Sequence, residues 1–196
     1  MKLFRNVKFL LFAILLLGTF LRLYRLGDVP AGFHRDEAFL GYNAFSILKT
    51  GRDMNGVFLP LHLRSFIYSP AGYSYSAILP IAIFGLTEFT VRLPAALFGI
   101  LTIYLTYLLA NVLLHDRRIA IAAALLLTIS PWHINLSRTS TENVLVVFFI
   151  TLGLYLYAMW LSKKKTFDLI TAFASFGITM LLYQAPRAFL PLFIPL

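Results

Sequence analysis

From Leu93 to Leu114, and again from Val144 to Leu161, no charged residue interrupts the chain. An apolar block of about 18–20 residues has one environment that satisfies both its side chains and its backbone, the hydrocarbon core of a bilayer crossed as a helix. Shorter blocks of the same character run from Phe9 to Leu21, Ile119 to Ile129 and Leu169 to Leu182. The expectation is an all-α integral membrane protein. Its spans are placed at about 7–24, 93–114, 119–133, 144–161 and 168–184, with an external loop at about 25–92.

Charge supports that reading. Charged residues make up 13% of the chain and apolar residues 60%, where a soluble domain carries about 25% charged. The net charge of +9 would suggest nucleic acid in a soluble protein. Here Lys and Arg stand in short clusters between apolar blocks, the pattern that orients helices across a membrane. Lys2, Arg5 and Lys8 hold the N-terminus in the cytoplasm. The chain continues Arg22-Leu23-Tyr24-Arg25 with no small-residue cleavage site, so the first helix reads as a signal anchor rather than a removable signal peptide.

Tyr73–Leu86 is apolar but short, with Pro80 inside it. If this segment does not cross, Arg117-Arg118 and Lys163-Lys164-Lys165 both face the cytoplasm, as the positive-inside bias requires. If it crosses, both fall outside. The non-crossing choice gives five spans in a multi-pass plasma-membrane protein. It places the 25–92 loop, the 131–143 turn and the C-terminal end on one non-cytoplasmic side. The final stretch Pro191–Leu196 has no polar close, and the chain is expected to be a fragment, the N-terminal part of a longer membrane domain. With no cysteine present, disulfides, thiol nucleophiles and Cys-based metal sites are excluded.

The polar loop holds four of the eight acidic residues. Within it, Asp36–Leu48 has helical periodicity, with Ala38, Phe39, Tyr42, Phe45 and Leu48 on one apolar face, as in a helix lying at the membrane surface. Asp36 and Glu37 begin it. As helix-capping acids they would favour the positive N-terminus. As functional acids, one would be a general base and the other its partner or a cation ligand. A divalent ion there is possible but not implied, and no metal ligands are assigned.

A second cluster runs from Pro131 to Asn143. Arg138 and Glu142 are four apart and suit a simple ion pair. Alternatively His133 and Arg138 donate to a phosphate, since the planar guanidinium binds two oxygens at once, with Glu142 orienting them. Tyr183 and Arg187 fit either an interfacial belt or a further phosphate contact. Tyr68, at the entrance to the short helix, is either an ordinary loop residue or part of a sugar site.

The order Phe33-His34-Arg35-Asp36-Glu37, Gly41-Tyr42-Asn43-Ala44, Phe84-Gly85-Leu86, Val91-Arg92-Leu93-Pro94, Ser130-Pro131-Trp132-His133 and Ser137-Arg138 resembles bacterial membrane glycosyltransferases of family 39. These are relatives of protein O-mannosyltransferases and of the aminoarabinose transferase that modifies lipid A. The resemblance runs from about Phe20 to the end. It implies a GT-C transmembrane helical bundle with juxtamembrane helices in the first external loop. It also implies inverting transfer of a sugar from a polyprenyl-phosphate donor to an acceptor hydroxyl or amine on a glycan, lipid or protein, with no nucleic acid involved. Asp36 then stands where the base is expected and Glu37 is its neighbour, while Glu142 falls where the family often has a second acid, commonly Asp. For the leaving phosphate, His133 and Arg138 come first, with Arg35 and Arg187 behind them.

Two other classes compete. A truncated, non-catalytic scaffold or remnant subunit is favoured by the abrupt end. A transporter is disfavoured, because such proteins place charge within their spans.

Overall fold

The computed structural model describes residues 7–64 and 68–193, with the side chains of 191–193 left aside. Lys2, Arg5 and the close at Ile194–Leu196 lie outside the described residues. What is described is a helical membrane bundle carrying one small hairpin.

Helix α1 spans Val7–Leu23 and α2 spans Arg35–Thr50. Strands β1 (His62–Arg64) and β2 (Tyr68–Pro70) pair antiparallel, with Leu63 opposite Ser69. Then come α3 (Gly72–Phe84), α4 (Glu88–Leu114), α5 (Arg117–Ile129), α6 (Pro131–Ser137), α7 (Glu142–Lys163), α8 (Thr166–Leu182) and α9 (Ala185–Phe193). By length and composition, α4 and α7 can each cross a membrane, and α5 with α6 makes a third candidate if that pair, bent by 60°, counts as one broken span. Helix α4 begins at Glu88, a full turn ahead of the expected 93, because Thr87 and Thr90 form a reciprocal capping box there.

Helix α4 is the central post, touching α1, α2, α3, α5, α6 and α7. Small residues set its approach distances. A side chain on Gly99 would collide with Ser137, and one on Gly41 would stand 2.6 Å from a Val91 methyl. Lipid offers no hydrophobic drive between helices, so such close backbone packing supplies much of the association energy.

The face α2 buries overlaps the expected one in part: Phe39, Phe45 and Leu48 pack against the core as partly buried residues. Glu37, Leu40, Gly41, Asn43, Ala44 and Ile47 point inward, while Ala38 and Tyr42 are exposed. The small Gly41 and Ala44 admit Val91 and α3 more closely than the bulky stripe would. Asn43 is tolerated inside because its side chain donates to the Phe39 carbonyl and accepts from the Met54 N–H.

Two buried arginines join α1 to the broken helix by capping each other's helix ends. Pro131 has no N–H, so α5 ends with carbonyls that lack a helical donor. Arg22 on α1 supplies one, donating to the Leu127 and Thr128 carbonyls at 3.3 Å each. Beyond α6, Arg138 reaches back to the end of α1 and the loop that follows it, donating to the Leu21, Tyr24 and Val29 carbonyls at 2.8 Å. In a medium without water each such carbonyl left alone costs several kcal/mol.

Candidate functional site

Successive helical residues are about 100° apart, and at the start of α2 that rotation separates the two acids. Glu37 turns inward. Its Oε1 accepts from Arg92 Nε at 3.0 Å and the Ser140 N–H at 2.8 Å, and its Oε2 from Arg92 Nη2 at 2.9 Å and the His34 N–H at 3.1 Å. Four donors saturate the carboxylate. Arg92 is fully buried and also donates to the Leu26, Pro30 and Gly32 carbonyls. One carboxylate thus ties α2, α4, the 26–32 loop and the turn before α7 together.

Burial pushes the Glu37 carboxyl up, but the bonds from Arg92, Ser140 and His34, with the Arg92 charge, hold it below the ordinary carboxylate value. It is ionised and fully engaged.

Asp36 turns outward. Its side chain is 71% exposed and lies 3.5 Å from His34 Nδ1. It lines an open cavity of about 690 Å³ whose opposite wall is the turn from Thr139 to Asn143, with Tyr183 contributing the rim. Glu142, in the first turn of α7, is half-buried in that wall and interacts electrostatically with Asp36. Arg35 lines the same cavity. The two segments that meet here, 36–37 and 139–143, are about a hundred residues apart, and the bond from Ser140 to Glu37 holds them in register. Among the described residues no three His, Asp or Glu side chains are arranged to hold a metal ion.

Other residues expected to meet a phosphate are engaged elsewhere. Arg138 uses both terminal nitrogens on backbone carbonyls. His133 is buried, with Nδ1 accepting from Arg22 at 2.8 Å. Arg138 and Glu142 form no ion pair, because α6 ends at Ser137 and α7 starts at Glu142, so no continuous helix carries both. Arg187 donates to the Met180 carbonyl at 2.9 Å and meets His62 Nε2 at 2.8 Å. Tyr68 is exposed under the Arg64 guanidinium, and its neighbour Ser69 rather than its own ring reaches the cavity.

Arg22 and Arg92 carry no role in the sequence reading, although both sit in largely apolar helices. That placement is itself a signal, since a charge there must be paired.

The helical membrane bundle with its short helices beside the long ones is consistent with the GT-C-like architecture of the family that the chain matches. The family model for dolichyl-phosphate-mannose-protein mannosyltransferases matches residues 69–194, and the chain belongs to that family. A protein of Aquifex aeolicus (strain VF5), described as uncharacterized, is 32% identical over 163 residues, which cover 82% of this chain and 31% of that protein. The chain therefore spans about a third of the length of the curated relative it matches. No solved structure matches it.

Proposed function

We propose that the chain forms the acceptor-activating part of an inverting membrane glycosyltransferase, of the bacterial family 39 kind, which uses a polyprenyl-phosphate sugar. The acceptor hydroxyl or amine enters the cavity and gives its proton to Asp36 as it attacks the anomeric carbon. The bond to the lipid phosphate breaks on the opposite face, and the polyprenyl phosphate departs with the electron pair.

One observation carries this reading: Asp36 stands exposed on the wall of an open cavity, while its neighbour Glu37 holds that wall fixed. Positioning of this kind makes a carboxylate an effective base. Glu142, across the cavity, orients the acceptor or shares its proton. Arg35, which lines the same wall as His34, offers its guanidinium to the phosphate, the role the sequence reading gave it behind His133 and Arg138. An apolar cavity of about 300 Å³ between α3, α4, α7 and α8, bordered by Leu145, Phe149 and Ile178, offers the prenyl tail a place within the bilayer.

The five-span topology belongs to the same proposal, with the N-terminus in the cytoplasm and the cavity at the outer face of the cell membrane. Since the chain has no cysteine, single cysteines report it directly. One at Asn55 should react with a membrane-impermeant thiol reagent and one at Lys164 should not. The reverse pattern reverses the orientation.

The activity test uses the intact protein with defined polyprenyl-phosphate sugars, followed by mass analysis of products. Asp36→Asn should lower turnover by about 10²- to 10⁴-fold with folding unchanged. Wild-type turnover in that variant removes Asp36 as the base. If the wild-type protein, properly folded, transfers no sugar from any such donor, the scaffold reading replaces this one.

A further inference from the structure

Between α2 and β1 the chain forms a loop whose exposed face is apolar. Met54, Val57, Phe58, Leu59 and Leu61 are each between 50% and 67% exposed. On a membrane-crossing helix such exposure is ordinary. On an external loop it calls for a partner.

The loop is built rather than slack. Arg52 and Phe58 pair as an isolated bridge, and the Leu59 N–H donates to the Gly51 carbonyl at 2.9 Å. The buried Asp53 carboxylate accepts from the Asn55 and Val57 N–H groups at 2.9 Å each, and Arg52 Nη1 donates to the Gly56 carbonyl at 2.8 Å. Leu59 holds a positive φ of 41°, a conformation a Leu side chain resists, and the surrounding bonds maintain it. These bonds present Val57, Phe58 and Leu59 side by side.

Basic groups rim the patch. Lys49, Arg52 and Arg64 are exposed, with the first two stacked over Phe45 and Phe58. Asp53, the acid of this loop, faces inward. The acids of the candidate site lie at the far end of α2, about 20 Å away at 1.5 Å per residue. At its base, Leu61 borders the same apolar cavity as Phe149 of α7 and Ile178 of α8. The loop therefore adjoins the lipid-compatible surface of the bundle.

We infer that the 54–61 loop is a membrane-interface anchor, inserting Val57, Phe58 and Leu59 at the headgroup–acyl boundary while Lys49, Arg52 and Arg64 hold anionic lipid phosphates. Apolar insertion rimmed by Lys or Arg is the combination that binds charged bilayer surfaces. The anchor fixes the tilt of α2, whose opposite end carries Asp36. This inference does not depend on the chemistry at Asp36.

The absence of cysteine makes the test direct. Val57→Cys, and separately Phe58→Cys in case one variant misfolds, is labelled with an environment-sensitive fluorophore. The intact protein is then reconstituted in phosphatidylcholine vesicles with or without phosphatidylglycerol. The expected result is blue-shifted emission, quenched by nitroxides at shallow acyl positions and little by aqueous iodide. The docked fraction should be larger with phosphatidylglycerol, each basic residue contributing roughly fivefold. Replacing Lys49, Arg52 and Arg64 together by Gln should remove that difference. Emission typical of water with iodide quenching overturns the inference. So does a blue shift without nitroxide quenching, which would mean that protein covers the patch. Equal docking in both vesicles before the Gln replacements overturns the phosphate contacts.

Discussion

Asp36 and Glu37 are neighbours in sequence, yet they enter regions that differ as much as any in this molecule. Glu37 belongs to a buried knot with Arg92 and Ser140, where every oxygen has donors. Asp36 belongs to an open wall shared with Glu142 and Tyr183, where its carboxylate is largely exposed. The same division separates the arginines. Arg22, Arg92 and Arg138 are buried and hold helix ends and loop carbonyls, whereas Arg35 faces the cavity. Ionisable groups among apolar helices are by default suspected of function. In this bundle the buried ones are scaffold, and the proposed chemistry falls to the exposed ones they hold in place.

That division is broken or sharpened most sharply by replacing each acid in turn. Asp36→Asn is expected to remove transfer, as set out above, and to leave the unfolding temperature in detergent within a degree or so of wild type, because the side chain has few partners to lose. Glu37→Gln should do the opposite in emphasis, lowering stability first and activity as a consequence. If Glu37→Gln kept full stability and lost all transfer, Glu37 would belong to the chemistry and the two regions would merge.

Arg92→Met addresses the knot from its other side. It leaves Glu37 buried without its cation and three carbonyls without a donor, and removing one partner of a buried pair costs roughly 3–5 kcal/mol. Thermal unfolding in detergent reads this directly. Adding Glu37→Leu to Arg92→Met should restore part of the loss, since the stranded charge is then gone. No restoration would show that the loop carbonyls, not the ion pair, carry the cost.

Much of the bundle was legible in the sequence because a bilayer admits so few solutions for a long apolar block. The short helix with Pro80 followed from block length, whereas charge placement only assigned the 25–92 loop and the 131–143 turn to one side and did not say which of their residues meet. The inward face of α2 was legible only in part. Counting bulky residues rightly selected Phe39 and Phe45 but also the exposed Tyr42, while the centre of the packed face was chosen by how closely Gly41 and Ala44 let Val91 and α3 approach, and sequence periodicity does not report that distance. The work of Arg138 and His133 was hidden for a related reason. The partners of Arg138 are backbone carbonyls and that of His133 is the Arg22 guanidinium, all more than a hundred positions away, which no local spacing encodes. The hairpin of β1 and β2 is three residues a side, too short for an alternating pattern to be recognised.

A smaller effect tests the junction behind the knot. Gly99→Ala places a methyl against Ser137, whose Cβ would stand 2.7 Å away, and within 3.4 Å of Arg22 Nε. Overpacking of this kind costs about 1–3 kcal/mol. The loss should appear in unfolding temperature with little change in transfer, because the cavity wall is held by Glu37 rather than by α6. Loss of transfer at unchanged stability would tie the Arg22–His133 junction to the chemistry and erase the contrast between the two regions.

The smallest expected effect is a pH dependence, and its sign follows from the environment of Glu37. Its folded value lies below the ordinary 4.5, burial being outweighed by the donors of Arg92, Ser140 and His34. A carboxylate held lower in the folded state binds protons more readily when unfolded. Its stabilisation is therefore complete above the ordinary value and fades as pH falls through the folded one. Stability in detergent should be level between about pH 7 and about pH 5 as far as this group is concerned, then decline below 4.5. Glu37→Gln should start lower and decline more shallowly over that acid range. An acid decline that is equally steep without Glu37 would place the sensitive carboxylate elsewhere, and the open wall rather than the knot would then be the part of the molecule that acid unmakes.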